Sequence, residues 1–171
     1  MKPAPQSTAR LRFREPTPAD AAFYLRLMND PAYHRFIGDR GLRILEDAET
    51  YILDKLLPSF SKKGFGLWLV EEIASGESVG MNGLVDRDGF EEPDLGYAFV
   101  ETARGKGYAR ESIVAVQGFA TQVLGLTGLP AYVHPDNAAS AKVLEQTGFV
   151  KAGTIIWPTT GDPAVKFEWI A

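Results

Sequence analysis

The residues best placed to do chemistry lie in one stretch, Glu101-Thr-Ala-Arg-Gly-Lys-Gly-Tyr-Ala-Arg-Glu111. It follows an apolar run, Leu95-Gly-Tyr-Ala-Phe-Val100, and leads into a helical pattern from Ile113 to Ala120. A strand therefore ends, a basic glycine turn follows, and a helix begins. Amide N–H groups at such a junction have no partner within the helix, and the helix dipole adds partial positive charge. Gly105 and Gly107 let the backbone approach a ligand without a Cβ in the way, and Arg104, Lys106 and Arg110 add full charges. This is the chemistry of a phosphate or pyrophosphate cradle. The turn is not a Walker A loop, because no GxxxxGK[ST] is present. It also departs from the dinucleotide fingerprint, whose third glycine is replaced by the bulky Arg110.

The elements that must position this turn follow from the pattern around it. Residues 1–9 read as a flexible tail, and 10–171 as a single domain. Residues 11–14 alternate as a short strand. Thr17 caps a helix with Pro18 in its first turn, ending near Asn29-Asp30-Pro31, with Ala22, Phe23, Leu25, Leu27 and Met28 as its apolar face. A second helix runs from about 46 to 60. Residues 64–73 and 78–87 form a hairpin around Ser75-Gly76. Residues 94–100 are the strand before the cradle, and 108–124 the helix after it. A strand at 129–134, a helix at 137–146 stopped by Gly148, and strands at 149–156 and 164–169 complete the chain. The order β α α β β β α β α β β specifies an α/β (mixed α+β) domain on a mixed sheet. The strands at 94–100 and 129–134 flank a helix of crossover length, so they should run parallel.

Bulk properties narrow the function classes. The 171 residues are 45% hydrophobic and 23% charged, ordinary for one globular domain. There is no cysteine, hence no disulfide, no cysteine metal site and no thioester enzyme intermediate. A net charge of −4 and a pI near 5.2 argue against a general nucleic-acid binder. No apolar run approaches a membrane span, and the start MKPAPQSTAR has no apolar signal core, so a bacterial cytoplasmic location is expected.

Arg104, Gly107 and Ala109 hold the defining places of the pattern [RQ]xxGx[GA]. Asn137-Ala-Ala-Ser140, followed by Leu144-Glu-Gln-Thr-Gly-Phe149, resembles a second motif of the same family. Together they resemble the GNAT superfamily of acetyl-CoA-dependent N-acetyltransferases. Leu95-Gly-Tyr, the GKGYA core and NxxS…GF resemble its RimJ/RimL-type branch. The resemblance implies one mixed, mostly antiparallel sheet with a V-shaped split between two parallel strands and helices on both faces. It implies that backbone groups of Phe99, Val100 and Glu101 pair with the pantetheine arm, and that a bulge there splays the strand. Amides of Arg104, Gly105, Lys106, Gly107, Tyr108 and Ala109 would hold the pyrophosphate, while Asn137 and Ser140 would line the thiol end. The same Asn137 also reads as a helix N-cap. Acetyl-CoA would be co-substrate, with no metal. The acceptor would be a primary amine, on a protein N-terminus or a small molecule, in a monomer or homodimer without nucleic-acid or membrane partners.

Acetyl transfer to an amine with a pKa near ~10.4 needs a base, because such an amine is protonated at neutral pH. Asp94, just before Leu95-Gly-Tyr, is the candidate base, acting through water; a solvated strand-edge carboxylate is the other reading. Ser140 is the candidate acid for the departing thiolate, with a bound water as the alternative, because the helix position where many members carry a tyrosine is Leu144 here. Glu101, Glu91 and Glu92 read as exposed turn and loop charges, His34 as a structural residue and His134 as a turn residue. The acids at 86, 88, 91, 92 and 94 could steer a cationic amine. A CoA-sensing module without turnover is the alternative function.

Overall fold

A computed structural model describes residues 2–171. Seven strands form one sheet in the order β1-β2-β3-β4-β5-β7-β6: β1 (Leu11–Arg14), β2 (Leu67–Glu72), β3 (Ser78–Val85), β4 (Asp94–Phe99), β5 (Gly128–Val133), β6 (Val150–Ile156) and β7 (Pro163–Ile170). Every neighbouring pair is antiparallel except β4 and β5, which run parallel as the crossover length required. These two meet at a single register pair, Leu95 opposite Ala131, and are unpaired beyond it. The sheet therefore opens into the expected split. The expected bulge in β4 is absent, since β3 and β4 pair without interruption from Val85 opposite Asp94 to Gly80 opposite Phe99. Register shifts lie elsewhere, between Val70 and Glu71 on β2 and between Lys151 and Thr154 on β6. The split thus arises where β4 and β5 stop pairing, with β4 itself regular.

Helices α1 (Ala21–Leu27) and α2 (Pro31–Phe36) follow β1, and α5 (Tyr108–Gln122) and α6 (Ala138–Gln146) flank β5. Asp20, in a short 3-10 turn before α1, accepts the Thr17 backbone N–H at 2.8 Å. Tyr24, rather than the exposed Ala22, is fully buried on α1. The separate helix α2 was not expected. Pro31, read as the end of one helix, is the first residue of the next, and Asp30 caps it by accepting the Ala32 N–H at 2.9 Å. The helix expected at 46–60 extends from Leu45–Tyr51 (α3) to Leu57–Lys63 (α4) through a π segment, Ile52–Leu56. Pro58 has no N–H to give the carbonyl four residues back, and a widened turn just before it accommodates that gap.

Trp68 on β2 centres the core, with Phe60 of α4 and Phe119 of α5 against it at ring-centroid distances of 5.6 and 4.7 Å. Part of the N-terminal segment packs on the domain. Pro5 is buried, and Glu111 in the first turn of α5 accepts hydrogen bonds from the Thr8 hydroxyl, the Arg10 N–H and the Arg10 Nε. Among the described residues, no helix is long and apolar enough to cross a membrane.

Candidate functional site

Alternation along β4 divides the chemistry between two faces. Tyr97 lies opposite Asn82 of β3, and the Asn82 amide donates to Ser112 of α5 at 2.7 Å. Leu95, Tyr97 and Phe99 therefore face α5 and α6, while Asp94, Gly96 and Ala98 face the other way. The backbone alternates too. The Val100 N–H donates to Val79 of β3 at 3.0 Å, so the main-chain groups of Tyr97 and Phe99 point to the β5 side, along the open split. Of the three residues expected to offer backbone groups here, two already have backbone partners within the chain. The Val100 carbonyl accepts the Ala103 N–H, and the Glu101 carbonyl accepts the Arg104 N–H, inside a 3-10 turn at Glu101–Ala103. Phe99 lies on the split edge, whereas the Val100 N–H is already committed to the sheet.

The split leads to the cradle. Gly105 and Gly107 both have left-handed φ, at 76° and 82°, and Gly107 caps α5. A left-handed residue at this cap costs any side chain ~1–2 kcal/mol, so glycine is required. The first helical bond runs from the Glu111 N–H to the Gly107 carbonyl, leaving the amides of Tyr108, Ala109 and Arg110 ahead of the hydrogen-bond ladder. The charges are arranged differently from the expectation. The Arg104 guanidinium faces α2, donating from Nε to the Phe99 carbonyl at 3.2 Å and meeting Asp30 at 3.0 Å. Burial alone would raise the Asp30 carboxyl. Its bonds from Arg104 and Ala32 outweigh that and hold it below the usual carboxylate range. Lys106 and Arg110 are exposed and form no ion pair among the described residues. The Tyr108 side chain turns inward and donates to Glu72. Arg10, from outside the motif, lies over the Tyr108 ring at 4.5 Å and donates to the Lys106 carbonyl at 2.8 Å, bracing the loop. Two left-handed glycines, uncommitted first-turn amides and two unpaired cations fit a phosphate group.

Across the split, Asn137 caps α6, its Oδ1 accepting the Ser140 N–H at 3.1 Å. The Ser140 hydroxyl lies 2.5 Å from the Tyr97 hydroxyl of β4. Burial pushes the Tyr97 phenol up to about 12, with the Ser140 bond opposing. Leu144 is fully buried in the core, so no hydroxyl comes from that position. In the sequence Tyr97 stands out only as part of Leu95-Gly-Tyr. Its alternation with Asp94 gave its face, but nothing local gave its partner.

Asp94 is buried, with both oxygens held by Arg87: Nε to Oδ1 at 2.8 Å and Nη2 to Oδ2 at 3.2 Å. Burial raises its carboxyl and Arg87 pulls the other way, leaving it above its ordinary value. It is not a solvated strand-edge group. The Arg87 guanidinium also lies 4.8 Å over Trp157, and Phe90, Tyr132 and Trp157 pack ring on ring at 5.3–5.9 Å. This cluster bridges the two halves of the sheet beside the Leu95–Ala131 pair. Asp94 and Ser140 thus lie on opposite faces of the sheet. Asp86 is paired with Lys63 at 3.1 Å, so two of the five acids expected to steer an amine are neutralised. Glu91, Glu92 and Glu101 are exposed, as expected. The His34 Nε2 sits 3.2 Å from Asn29, and the His134 Nδ1 accepts the Asp136 N–H, both in keeping with structural roles. Among the described residues, no group of three or more His, Asp or Glu side chains could hold a metal ion.

A family model described as an acetyltransferase (GNAT) domain matches residues 10–150. An uncharacterized N-acetyltransferase of Bacillus subtilis, YoaA, is 26% identical over 151 residues, 86% of this chain and 84% of that protein. An acetyltransferase structure from Agrobacterium tumefaciens, 26% identical, superposes with a TM-score of 0.82 over 100% of this chain and 96% of that one. An aminoglycoside acetyltransferase solved in complex with coenzyme A shares the fold, with a TM-score of 0.75, 19% identity and 94% of each chain covered.

Proposed function

We propose that this chain, which belongs to the GNAT acetyltransferase family, moves the acetyl group of acetyl-CoA to a primary amine by direct attack in a ternary complex. The observation that carries this reading is the continuity of split and cradle. The free edge of β4 beyond Leu95 leads, through the 3-10 turn at Glu101–Ala103, to the left-handed glycines ahead of α5. A pantetheine arm needs an unpaired strand edge of this kind, and a pyrophosphate needs amides and cations at its end. The free edge at Phe99 and the amides of 105–109 would hold the co-substrate, the Arg104 N–H being already bonded to the Glu101 carbonyl. Asn137 and Ser140 would lie at its thiol end. The RimJ/RimL-like Leu95-Gly-Tyr supports an acceptor on a protein N-terminus, and a small-molecule amine is the other acceptor class.

The chain's own groups then divide the proton work. Ser140 is proposed to give a proton to the leaving sulfur. Asp94 is proposed to take one from the acceptor through water, from the opposite face. Each Asp94 oxygen keeps lone-pair capacity beyond its bond to Arg87. Its raised carboxyl is also a better base than an ordinary aspartate. Main-chain N–H groups along the split are suited to meet the oxyanion.

An acceptor panel that follows free thiol release from acetyl-CoA tests the reading. N-terminal peptides, amino acids, polyamines and aminoglycosides form the panel. Thiol release that depends on an amine and yields its N-acetyl product is expected. CoA binding without release in any arm would replace the enzyme by a CoA-binding module.

A further inference from the structure

We infer that Tyr97 is a positioning residue for this transfer, donating its phenol proton in a hydrogen bond to Ser140 Oγ so that the serine hydroxyl can protonate the departing sulfur. The inference rests on the proposed reaction, and it adds a residue from the opposite wall of the split.

Tyr97 stands two residues past the only β4–β5 register pair, where the split opens. Its ring is only half-buried, but its hydroxyl points across to α6 and ends 2.5 Å from Ser140 Oγ, with the Ser140 carbonyl farther off at 3.4 Å. A phenol has one proton to give. The shorter contact is the better recipient.

The chemistry gives this contact a purpose. An alkyl hydroxyl is a much weaker acid than a thiol, whose ordinary pKa is about 8.5. Alone, Ser140 would lose its proton to a thiolate only at a steep cost. A hydroxyl that already accepts a strong hydrogen bond is polarised toward donation, because chained hydrogen bonds reinforce one another. Burial supports the role, since a phenol pushed up to about 12 stays protonated and remains a donor across the working range. The serine is held for it as well, with its N–H fixed by Asn137. Leu144, buried in the core, supplies no competing hydroxyl.

The step balances. The C–N bond forms as the C–S bond breaks, and sulfur keeps the electron pair. Sulfur takes the Ser140 proton as solvent water returns one to the serine, while the proton released by the attacking nitrogen passes through water to Asp94 and from there to solvent, so one proton is released and one consumed. Tyr97 keeps its own proton throughout.

A plain structural role is the competing explanation, in which the Tyr97–Ser140 contact merely ties β4 to α6. Tyr97→Phe, Ser140→Ala and the double variant separate the two. For the relay, Tyr97→Phe lowers kcat by about 10²-fold, the cost of losing one directed donor. The acetyl-CoA KM, the calorimetric affinity for CoA and the melting temperature stay close to wild type. The double variant is no slower than Ser140→Ala, because the phenol acts only through the serine. Tyr97→Phe keeping more than half of wild-type kcat overturns the relay, as does a double variant whose losses multiply. If Tyr97→Phe melts far below wild type, 3-fluorotyrosine incorporated at Tyr97 replaces it, with the same shape and a more acidic phenol. A change in kcat at unchanged stability supports the relay, and an unchanged kcat refutes it. A wild-type protein that transfers no acetyl group would sink the parent reading itself, whereas insensitivity to the variants sinks only the relay.

Discussion

Replacing Asp94 by asparagine separates two jobs that one carboxylate can hold, partner to Arg87 and base for the acceptor. The structural cost can be worked out. Breaking a buried ion pair costs ~3–5 kcal/mol when the survivor is trapped. Arg87 is not fully trapped, because its side chain is 35% exposed while that of Asp94 is 2% exposed. It also keeps Trp157 beneath it, and the asparagine oxygen still accepts one of its bonds. Those features reduce the loss to about 1–2 kcal/mol, and the relief of a buried charge reduces it further. The sign of that relief follows from the raised carboxyl. Its folded pKa lies above the unfolded one, so its contribution to stability is present below the unfolded pKa and is lost as pH rises through the folded value. At neutral pH the neutral amide escapes that penalty. At ~2–4 °C per kcal/mol for a chain of this size, the melting temperature should fall by no more than about 8 °C. The catalytic cost is of another order, ~10²–10⁴-fold in kcat if Asp94 is the base. Arg87→Met gives the complementary result. Arg87 lowers the Asp94 pKa, so its removal should move the acid limb of kcat/KM to higher pH, while Asp94→Asn should abolish that limb. Calorimetry and a pH–rate profile on the three proteins measure both. Asp94→Asn with more than half of wild-type kcat and a lowered melting temperature would refute the base and leave Asp94 as an ion-pair residue.

Gly107→Glu should abolish measurable CoA binding, because it strains a left-handed cap, places a Cβ 3.4 Å from Arg10 and sets a carboxylate among the phosphate-seeking amides. Gly107→Ala carries the strain alone and should weaken binding less, and unchanged calorimetric affinity in the glutamate variant would remove the cradle assignment. With no cysteine in the chain, initial-velocity lines should intersect in double-reciprocal plots; parallel lines, or a competent acetylated protein caught by mass spectrometry, would contradict direct transfer. Burial raises the Asp20 carboxyl, but its bonds from Arg14 and Thr17 outweigh that and leave it below its ordinary value, and Glu111 is held down in the same way by Thr8 and Arg10. Both then stabilise the fold above the unfolded carboxylate pKa of about 4 and lose that contribution as pH falls through their folded values. Arg14→Met should shrink the acid-side fall in melting temperature seen by calorimetry, and an unchanged slope would remove Asp20 from the account.

What could be read from the sequence was what is local in it. The strand, the glycine turn, the α5 start and the Asn137 cap each occupy a few consecutive residues whose types dictate backbone geometry. The parallel pairing of β4 with β5 followed from the length of the crossover. What could not be read depends on side chains meeting over long separations or on a choice between two meanings of one residue. Pro31 serves equally as a stop and as a start, and only the Asp30 cap decides between them. Tyr97 and Ser140 are 43 residues apart, and Thr8 and Glu111 are 103 apart. Neither contact leaves a pattern in either segment. Arg104 is the instructive case. Its type and place mark it as a cradle cation, yet its charge is spent on Asp30, the residue that caps α2. That ion pair ties the start of α2 to the strand end where the co-substrate would lie. The positive field left for a phosphate comes from backbone amides, Lys106 and Arg110. A ligand drawn to this turn would therefore be gripped first by geometry that requires glycine, and only second by charge.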